Sequence, residues 1–249
     1  MADPIKLRDG SEVQDIRLAR LKQFDERSRN HPIMAAVGTK KKPRSYTWQC
    51  AQHLDQGSEG ACVGFSLTHE LIARPAEVQH LSESFAREKV YWEAQKLDDW
   101  EGGSYPGAKP VYEGTSVLAG VKIIKKLGYI DGYKWAFSLN DLVMAVGYAG
   151  PAVLGLAWYE SMFDPHSCGY LHVEGQVAGG HAILCKGVDV KNKTFTMHNS
   201  WGSAWGNGGD ALIHWDEMDR LLHEQGEAVI PTGRHKTGLM GALKKLVGR

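Results

Sequence analysis

The spacing of apolar residues changes halfway along this chain of 249 residues, and that change limits its possible folds more than any other feature. Between residues 62 and 150, apolar side chains recur at intervals of three and four residues, which indicates helices. From residue 151 to residue 215 the apolar segments are short or alternating, and glycine, asparagine and aspartate separate them, which indicates strands. A helical half followed by a stranded half predicts an α+β architecture with a cleft between two lobes.

Start and stop signals place four helices in the first half and four strands in the second. We expect helices over residues 62–74, ending before Pro75; from Ser82 or Ser84 to Lys96; from a Thr115 cap to Gly128; and from Ser138 and Asp141 to about Gly150. We expect strands over residues 151–158, 182–190, 193–198 and 211–215. No internal repeat divides these elements further.

Charge divides the chain into three stretches, although its formal net charge is zero. Residues 1–44 carry 11 basic and 6 acidic residues, and residues 231–249 carry 5 basic residues and no acidic one. We therefore expect a basic N-terminal arm over 1–45, a body over 46–230 whose helical lobe ends near 150, and a basic amphipathic tail over 231–249. Such ends either lie in solvent or contact a protein partner, the membrane surface being a further option for the tail. General nucleic-acid binding is not expected, because the basic residues do not form one folded face.

Composition and the apolar runs bear on location. No apolar run is long enough to span a bilayer, and the N-terminal residues lack the pattern of a secretion signal. The four cysteines are Cys50, Cys62, Cys168 and Cys185. Without a secretion signal they are expected to be free thiols in a reducing compartment. The expected location is therefore cytoplasmic or particle-associated.

Cys62 stands among three glycines directly before the first expected helix. Gly57, Gly60 and Gly64 allow the backbone to turn sharply and to present the cysteine at the start of that helix. The unpaired N–H groups and the positive end of the helix dipole favour a thiolate there, and the thiolate is the nucleophilic form of cysteine. Cys62 is therefore a candidate nucleophile, although a lone cysteine at a helix start is more often structural.

Two later motifs supply the partners that a nucleophilic cysteine needs. His181 follows a pair of glycines at the entry to an apolar strand, where an imidazole can take the proton of the thiol. Asn199 can accept a hydrogen bond from that imidazole and so fix its tautomer. Trp201 can cover this hydrogen bond from water. His198 precedes Asn199 and is expected to be structural, because neighbouring residues of a strand point to opposite faces.

Together these motifs resemble the papain-like, C1-type cysteine peptidases. The matching residues are Gln56-Gly57-Ser58 through Cys62 to Phe65-Ser66, then Gly180-His181-Ala182, then Asn199-Ser200-Trp201-Gly202 with Trp205-Gly206. His181 and Asn199 follow Cys62 by 119 and 137 residues, close to the family's spacing of about 130–150. The resemblance covers about residues 48–215 and is closer to bacterial or phage-encoded members than to lysosomal ones.

The resemblance implies a fold, an activity and four catalytic roles. It implies two lobes, with the nucleophile on a central helix and a barrel-like sheet lobe, and a cysteine endopeptidase that acts on a polypeptide through an acyl-enzyme without a cofactor. Cys62 is then the nucleophile and His181 the general base and later the general acid. Asn199 orients His181, and the Gln56 side chain donates to the oxyanion beside the Cys62 backbone N–H.

Three departures from the family pattern leave the activity open. Glu59 replaces a cysteine that is usually disulfide-bonded, and Val63 replaces the usual aromatic residue after the nucleophile. A carboxylate near Cys62 disfavours the thiolate unless it points away. Residues 1–45 are expected to be too short for an inhibitory pro-region. The alternatives are a weak or inactive papain-like domain that serves as a binding or structural module in a larger assembly, and an amidase or transpeptidase that acts on cell-wall peptides.

The remaining cysteines and histidines give weaker signals. His166, Cys168 and His172 lie close together in sequence, but their spacing matches no closed set of four metal ligands, and no metal site is expected. Cys185 lies in an apolar strand and is expected in the core, and Cys50 is expected to be an inert thiol.

Overall fold

Short N-terminal strands, a helical lobe and a large antiparallel sheet follow one another in the computed structural model, which describes residues 3–23, 25–38 and 40–238. The strands are β1 (Ile5–Lys6), β2 (Glu12–Val13), β3 (Arg20–Leu21), β4 (Tyr46–Thr47), β5 (Thr115–Ser116), β6 (Ile130–Ala136), β7 (Ala152–Tyr159), β8 (Val177–Asp189), β9 (Thr194–His198), β10 (Asp210–His214) and β11 (Glu227–Arg234). The α-helices are α1 (Met34–Val37), α2 (Cys62–Ile72), α3 (Trp92–Gln95), α4 (Val117–Lys126), α5 (Leu139–Tyr148) and α6 (Trp215–His223). A π-helix covers Phe85–Tyr91, and 3₁₀ helices cover Glu26–Asn30 and Glu160–Met162.

Helix α2 is the centre of the helical lobe, and each of its residues is buried. Its expected start at Cys62 is confirmed, and the helix ends at Ile72, shortly before Pro75. The second expected helix is present as the π-helix followed by α3, and Ser82 Oγ accepts a hydrogen bond from Phe85 N (3.3 Å) at its start.

The capping residues of α4 and α5 are serines. Ser116 Oγ accepts from Ala119 N at 3.0 Å, so the cap of α4 is Ser116 and the expectation of Thr115 was one residue early. The expected Ser138 cap is confirmed, because Ser138 Oγ accepts from Asp141 N at 3.1 Å. Gly128 follows α4 with a φ of 78°, the left-handed conformation expected where a helix ends.

The β lobe is a seven-stranded sheet in which every pair of strands is antiparallel. Its order is β10-β9-β8-β7-β11-β6, with β4 added to β8. The four expected strands are confirmed as β7, β8, β9 and β10, although β8 begins at Val177 rather than at 182. The chain enters this sheet at Ile130, well before the expected lobe boundary near 150.

Strand β11 crosses the expected domain boundary at 230/231 and continues to Arg234. Proline is tolerated there because β11 pairs with β7 only over Glu227, Ala228 and Val229, so Pro231 lies beyond the end of that ladder. The body therefore includes the first residues of the expected tail. Residues 239–249, which carry most of that tail, lie outside the described residues.

The described part of the expected N-terminal arm is packed into the body rather than separate from it. Leu18, Ala19, Leu21 and Ile33 are at most 1% exposed. Strand β3 pairs in parallel with β5 of the helical lobe, and Ala19 forms a bridge with Gly180 of β8. Because of its basic charge, this region was expected to be an arm, but it contains an apolar stretch that crosses from one lobe to the other.

Each lobe has its own group of buried apolar side chains. The group around α2 includes Phe65, Leu67, Leu71, Tyr91 and Ile124, and the group around the sheet includes Leu142, Leu154, Trp158, Phe195 and Met218. The expected α+β, two-lobed fold is confirmed. Among the described residues, no helix is both long and apolar enough to cross a membrane.

Candidate active site

Cys62 is the first residue of α2 and is fully buried where the two lobes meet. Burial raises the pKa of its thiol to about 11, even though hydrogen bonds from the backbone of Ala182 and Ala19 act to lower it. The helix start was expected to favour the thiolate. In this structure the cost of burying the charged thiolate outweighs the stabilisation that the helix N-terminus gives it, so the thiol is protonated at neutral pH.

His181 lies on β8 and is joined to Asn199, the residue after β9. His181 Nε2 and Asn199 Oδ1 are 2.8 Å apart, and the same oxygen accepts from Ser200 N at 2.8 Å. Because an amide oxygen only accepts, Nε2 carries the proton of the neutral ring and Nδ1 keeps its lone pair. Burial lowers the pKa of His181 to about 4, although the Asn199 hydrogen bond acts to raise it.

Two tryptophans enclose the His181 ring. Trp158 meets it edge-on with ring centroids 4.6 Å apart, and Trp201 lies tilted at 4.9 Å. Trp201 is 7% exposed, whereas the His181 ring beside it is fully buried. Trp158 was not singled out from the sequence, because an aromatic residue in an apolar strand looks like any other core residue.

Gln56 is buried in the same region and uses both ends of its amide. Its Oε1 accepts from Ser200 Oγ at 2.7 Å, and its Nε2 donates to Glu59 O at 2.7 Å and to Arg17 O at 3.4 Å. The amide therefore faces the loop that leads to Cys62. One of its acceptors, the Arg17 carbonyl, belongs to the N-terminal region.

Residues 15–21, which we call the occluding segment, lie across the cleft. Ala19 contacts both lobes, because Thr115 N donates to Ala19 O at 3.3 Å and Ala19 bridges Gly180. Gly180 leaves the space that this close approach needs, since a Cβ there would overlap the carbonyl oxygen of Arg20. Residues 1–45 were expected to be too short for an inhibitory pro-region, and the way in which the site is restrained was left open; in the structure a few extended residues cover Cys62.

Cys62 and His181 are close in the fold but are not hydrogen-bonded to each other. His181 Nδ1 is buried and has no hydrogen-bond partner among the described residues. The backbone of Ala182, the next residue, reaches the Cys62 thiol. The two side chains therefore share one region under the occluding segment, whose Arg17 backbone also reaches the His181 ring.

Glu59, in the loop before Cys62, forms an ion pair with Arg87. Arg87 Nε lies 2.7 Å and 2.6 Å from the two carboxylate oxygens of Glu59. Arg87 lies on the π-helix, so this pair ties the loop before Cys62 to the helical lobe at the position where the resemblance implied a disulfide. The positive charge of Arg87 offsets the carboxylate that was expected to disfavour a thiolate.

His198 lies on the face of β9 opposite to the candidate site, as expected from its neighbour Asn199. Its Nδ1 is 2.6 Å from Asp210 Oδ1 and its Nε2 is 3.0 Å from Gln52 O, so both nitrogens face acceptors. Burial acts to lower the pKa of His198, but the hydrogen bonds with Asp210 and Cys50 together outweigh it and raise the pKa to about 9. His198 is thus a buried imidazolium at neutral pH.

The other sulfur and histidine groups lie away from this site. His166 Nδ1 is 3.1 Å from Cys168 Sγ on an exposed loop, and Cys185 is buried in the sheet. No group of three or more histidine, cysteine or acidic side chains in the described ranges is arranged to hold a metal ion. All four cysteines are free thiols.

Comparison with proteins of known sequence gives two informative relatives. The chain is 24% identical over 207 residues to an uncharacterised peptidase C1-like protein of Acanthamoeba polyphaga mimivirus. It is 29% identical over 117 residues to cysteine proteinase 3 of Solanum lycopersicum. These matches cover 65% and 45% of this chain and span 63% and 32% of the relatives. No family model matches the chain.

Solved structures share the fold over most of the chain. Xylellain, a cysteine protease from Xylella fastidiosa, superposes with a TM-score of 0.66 at 17% identity and covers 89% of this chain and 98% of its own. Digestive procathepsin L 3 of the Tenebrio molitor larval midgut gives a TM-score of 0.58 at 18% identity, over 88% of this chain and 75% of its own. The chain therefore has a papain-like fold and is related in sequence to C1-type cysteine peptidases.

Proposed function

We propose that this protein is a cysteine peptidase that cleaves peptide bonds with Cys62, His181, Asn199 and Gln56. The observation that carries the proposal is the 2.8 Å hydrogen bond between His181 Nε2 and Asn199 Oδ1, in a buried region that also holds Cys62. It leaves Nδ1 of His181 as a free base beside a cysteine at a helix start. Those are the groups that a thiol nucleophile needs.

The reaction follows from the chemistry of these groups. His181 Nδ1 takes the thiol proton, and the Cys62 sulfur attacks the carbonyl carbon of the peptide bond. The oxyanion accepts hydrogen bonds from Gln56 Nε2 and from the Cys62 backbone N–H. Collapse breaks the C–N bond, His181 donates its proton to the leaving amine, and a thioester remains. Water, deprotonated by His181, then hydrolyses the thioester and frees the thiol.

Before this reaction the occluding segment has to leave the cleft. In the closed form, burial holds Cys62 as a thiol and His181 as a neutral ring, and the Arg17 carbonyl accepts from Gln56. Displacement of residues 15–21 admits water and substrate together. The pKa of the thiol then falls and that of the imidazole rises, in the direction that favours an ion pair.

The test compares the full chain with two variants that differ in one thiol. The wild type and Cys168→Ala are expected to cleave an unstructured protein such as casein, while Cys62→Ala does not, although its circular dichroism is unchanged. A peptidyl epoxide should modify Cys62 before the other three thiols, as mapped by mass spectrometry. Equal labelling of the four cysteines, or full cleavage by Cys62→Ala, contradicts the proposal.

One observation favours the alternative of a binding or structural module. Cys62 and His181 share no hydrogen bond among the described residues, as in a site that no longer reacts. The pH dependence of Cys62 alkylation separates the active peptidase from the inactive module. It is measured in a variant with a destabilised occluding segment, such as Arg20→Gln. A catalytic Cys–His pair reacts well below pH 8.5, the usual pKa of a free thiol, whereas the thiol of an inactive site reacts with that free pKa or a higher one.

An amidase or transpeptidase on cell-wall peptides differs from the peptidase only in its substrates, which cleavage profiling distinguishes.

A further inference from the structure

His198, the last residue of β9, is paired with the first residue of β10 directly beside Asn199. His198 is fully buried and lies opposite Asp210 in the register of the two strands. The next backbone bond of the hairpin runs from Asn199 N to Gly209 O at 3.0 Å. Side chains opposite each other on antiparallel strands lie on one face, so His198 and Asp210 hold the hairpin together on the face that Asn199 does not use.

Both ring nitrogens of His198 face acceptors, and these belong to different parts of the chain. Nδ1 lies 2.6 Å from Asp210 Oδ1, and Nε2 lies 3.0 Å from Gln52 O. A neutral imidazole has a single N–H, so only the imidazolium can donate to both. With its second proton, His198 links the β9–β10 hairpin to the segment that leads from Gln52 to Gln56. Without it, one nitrogen turns a lone pair towards an acceptor, and one side of the link is lost.

A lysine and a thiol also act on His198. Lys186 Nζ, on β8, lies 2.6 Å from Asp210 Oδ2, so one carboxylate is shared by two cations. The charge of Lys186 acts against the second proton of His198, whereas the hydrogen bonds with Asp210 and Cys50 favour that proton. Asp210 is therefore the carboxylate on which the charge of His198 depends.

Two further histidines pack against the His198 ring and stay neutral. The ring centroids of His69 of α2 and of His53 lie 4.5 Å and 4.8 Å from that of His198. Burial lowers the pKa of both, and it does so most strongly for His69, whose Nε2 accepts from Leu54 N at 2.9 Å. His53 also packs tightly on Gly209, where a Cβ would overlap His53 Nδ1. The charged ring is thus enclosed by α2, by the segment before it and by the hairpin.

We propose that His198 is a positioning residue of the proposed peptidase: as an imidazolium it ties the hairpin that carries Asn199 to the segment that carries Gln56, and loss of its proton shifts Asn199 relative to His181. The proposal rests on the proposed function and adds a residue and a pH dependence to it. His198 touches neither substrate nor reacting atoms. It acts through Asn199, because the two residues are neighbours on one backbone and a shift of the first moves the second.

The first test needs no turnover. In the ¹⁵N-labelled full chain with Cys62→Ala, NMR follows the ring nitrogens of His198 and the side-chain amide of Asn199 from pH 6 to pH 10. Both ring nitrogens should be protonated at pH 7, and the Asn199 amide should change its chemical shift as His198 loses its proton, with a common midpoint near pH 9. His181 does not titrate in this range, because burial lowers its pKa to about 4.

Asp210→Asn should move that midpoint to lower pH by about 1 or more, since it removes a negative charge in contact with the ring. Asp189→Asn is the matched control. Asp189 ends β8 and accepts from Lys191 N and from Asn192 in the following turn, away from His198. Its replacement should leave the midpoint unchanged.

The second test measures kcat and KM of the full chain at pH 8 for Asp210→Asn, Asn199→Ala and the double variant. Asp210→Asn should lower kcat about tenfold with KM unchanged, because a displacement of about 1 Å at a catalytic group can cost up to about 10²-fold. If His198 acts through Asn199, the double variant has the kcat of Asn199→Ala alone, whereas independent effects multiply. Asp189→Asn should keep the kcat of the wild type.

The outcomes separate the positioning role from the peptidase function. A His198 that is neutral at pH 7, or an Asn199 amide that does not respond when His198 titrates, overturns the positioning role whether or not the protein cleaves. A wild-type kcat for Asp210→Asn, or losses that multiply in the double variant, overturns it and leaves the peptidase. Absence of cleavage together with the common titration overturns the peptidase and leaves the link between His198 and Asn199. The titration in Cys62→Ala decides the question even if Asp210→Asn does not fold.

Discussion

At the scale of single residues, Asn199 has the most specific task, because its amide oxygen decides which nitrogen of His181 carries the proton. An oxygen that accepts from both His181 Nε2 and Ser200 N is held in place from two sides. In the proposed reaction, the role of Asn199 is to position the base, not to react.

We therefore expect Asn199→Ala to lower kcat more than it changes KM. The general base keeps its place but loses its fixed tautomer, so a loss of about 10²-fold, at the lower end of what general acid–base catalysis contributes, is expected. The measurement is steady-state cleavage by the full chain over a range of pH. A variant that keeps the kcat of the wild type and its pH profile contradicts the role.

His198 gives a second residue-scale prediction, about stability. Its pKa in the folded protein is raised to about 9 from an ordinary value of 6.5. Protonation therefore favours the folded state, and this contribution is fully present below pH 6.5 and is lost as the pH rises through 9. The melting temperature of the wild type minus that of His198→Asn should be larger at pH 6 than at pH 10. A melting-temperature difference that stays constant or grows with pH contradicts this contribution of protonated His198.

The motif residues could be found from the sequence because each needs a fixed residue type in a fixed order. The pKa of Cys62 could not, because it depends on how far water is excluded by a segment more than 40 residues earlier in the chain. The Glu59–Arg87 ion pair could not be predicted either, since nothing in the sequence shows that these two side chains are in contact.

At the scale of elements, the occluding segment is tied to β11 by the ion pair between Arg20 and Glu227, whose side chains are 1% and 13% exposed. We expect Arg20→Gln to open the cleft, because the charge of Glu227 then stays buried without its partner. Loss of one partner of a buried pair costs about 3–5 kcal/mol, which is enough to populate the open form. Alkylation of Cys62 by iodoacetamide at pH 7 should become at least about tenfold faster, since tenfold corresponds to only 1.4 kcal/mol.

Arg27→Gln is the matched control for that variant. Arg27 pairs with Asp25 at the surface, where an ion pair contributes little to stability. In Arg27→Gln, Cys62 should be alkylated by iodoacetamide at the rate of the wild type. If both variants react alike, the Arg20 pair does not hold the cleft closed.

Helices and strands whose apolar residues follow a clear pattern were predictable from the sequence, and those without such a pattern were not. The strands β7 to β10 have apolar runs between turn residues, α4 and α5 have serine caps, and α2 ends shortly before Pro75. Strand β6 contains Asp131 and Gly132, and β11 contains Pro231 and Gly233, so neither has the composition of a strand. Their antiparallel pairing with each other, which is a tertiary contact, overrides that composition.

At the scale of the whole molecule, the two lobes are joined by a buried ion pair. Arg234 of β11 binds Glu70 of α2, and the two side chains are 6% and 0% exposed. Arg234 also donates to Ala149 O at 3.1 Å. The end of the sheet is thereby fixed to the helix that carries Cys62.

Arg234→Ala should lower the free energy of unfolding by about 3 kcal/mol, because it leaves a buried carboxylate unpaired. Chemical denaturation of the full chain measures this. Lys96→Ala removes an exposed pair with Glu93 and should change the free energy by about 0–1 kcal/mol. Equal effects of the two substitutions contradict the idea that the buried pair joins the lobes.

The two-lobed architecture was predictable because it follows from the order of helices and strands. The path of the N-terminal residues was not, because their charge pattern is that of a solvated arm while Leu18, Ala19 and Leu21 are core residues. The expected lobe boundary was also late, since α5 packs on the sheet and not on α2.

The covalent attachment of Arg20 to the protein it blocks has a quantitative consequence. A tethered competitor is present at an effective concentration in the millimolar range, and dilution of the protein does not change it. The occluding segment is therefore as well seated in a dilute solution as in a concentrated one, and a peptide substrate of the proposed enzyme has to reach comparable concentrations before it displaces the segment. Severing the chain between this arginine and the helical lobe would make the inhibitor an ordinary dissociable ligand, and activity would then rise as the solution is diluted.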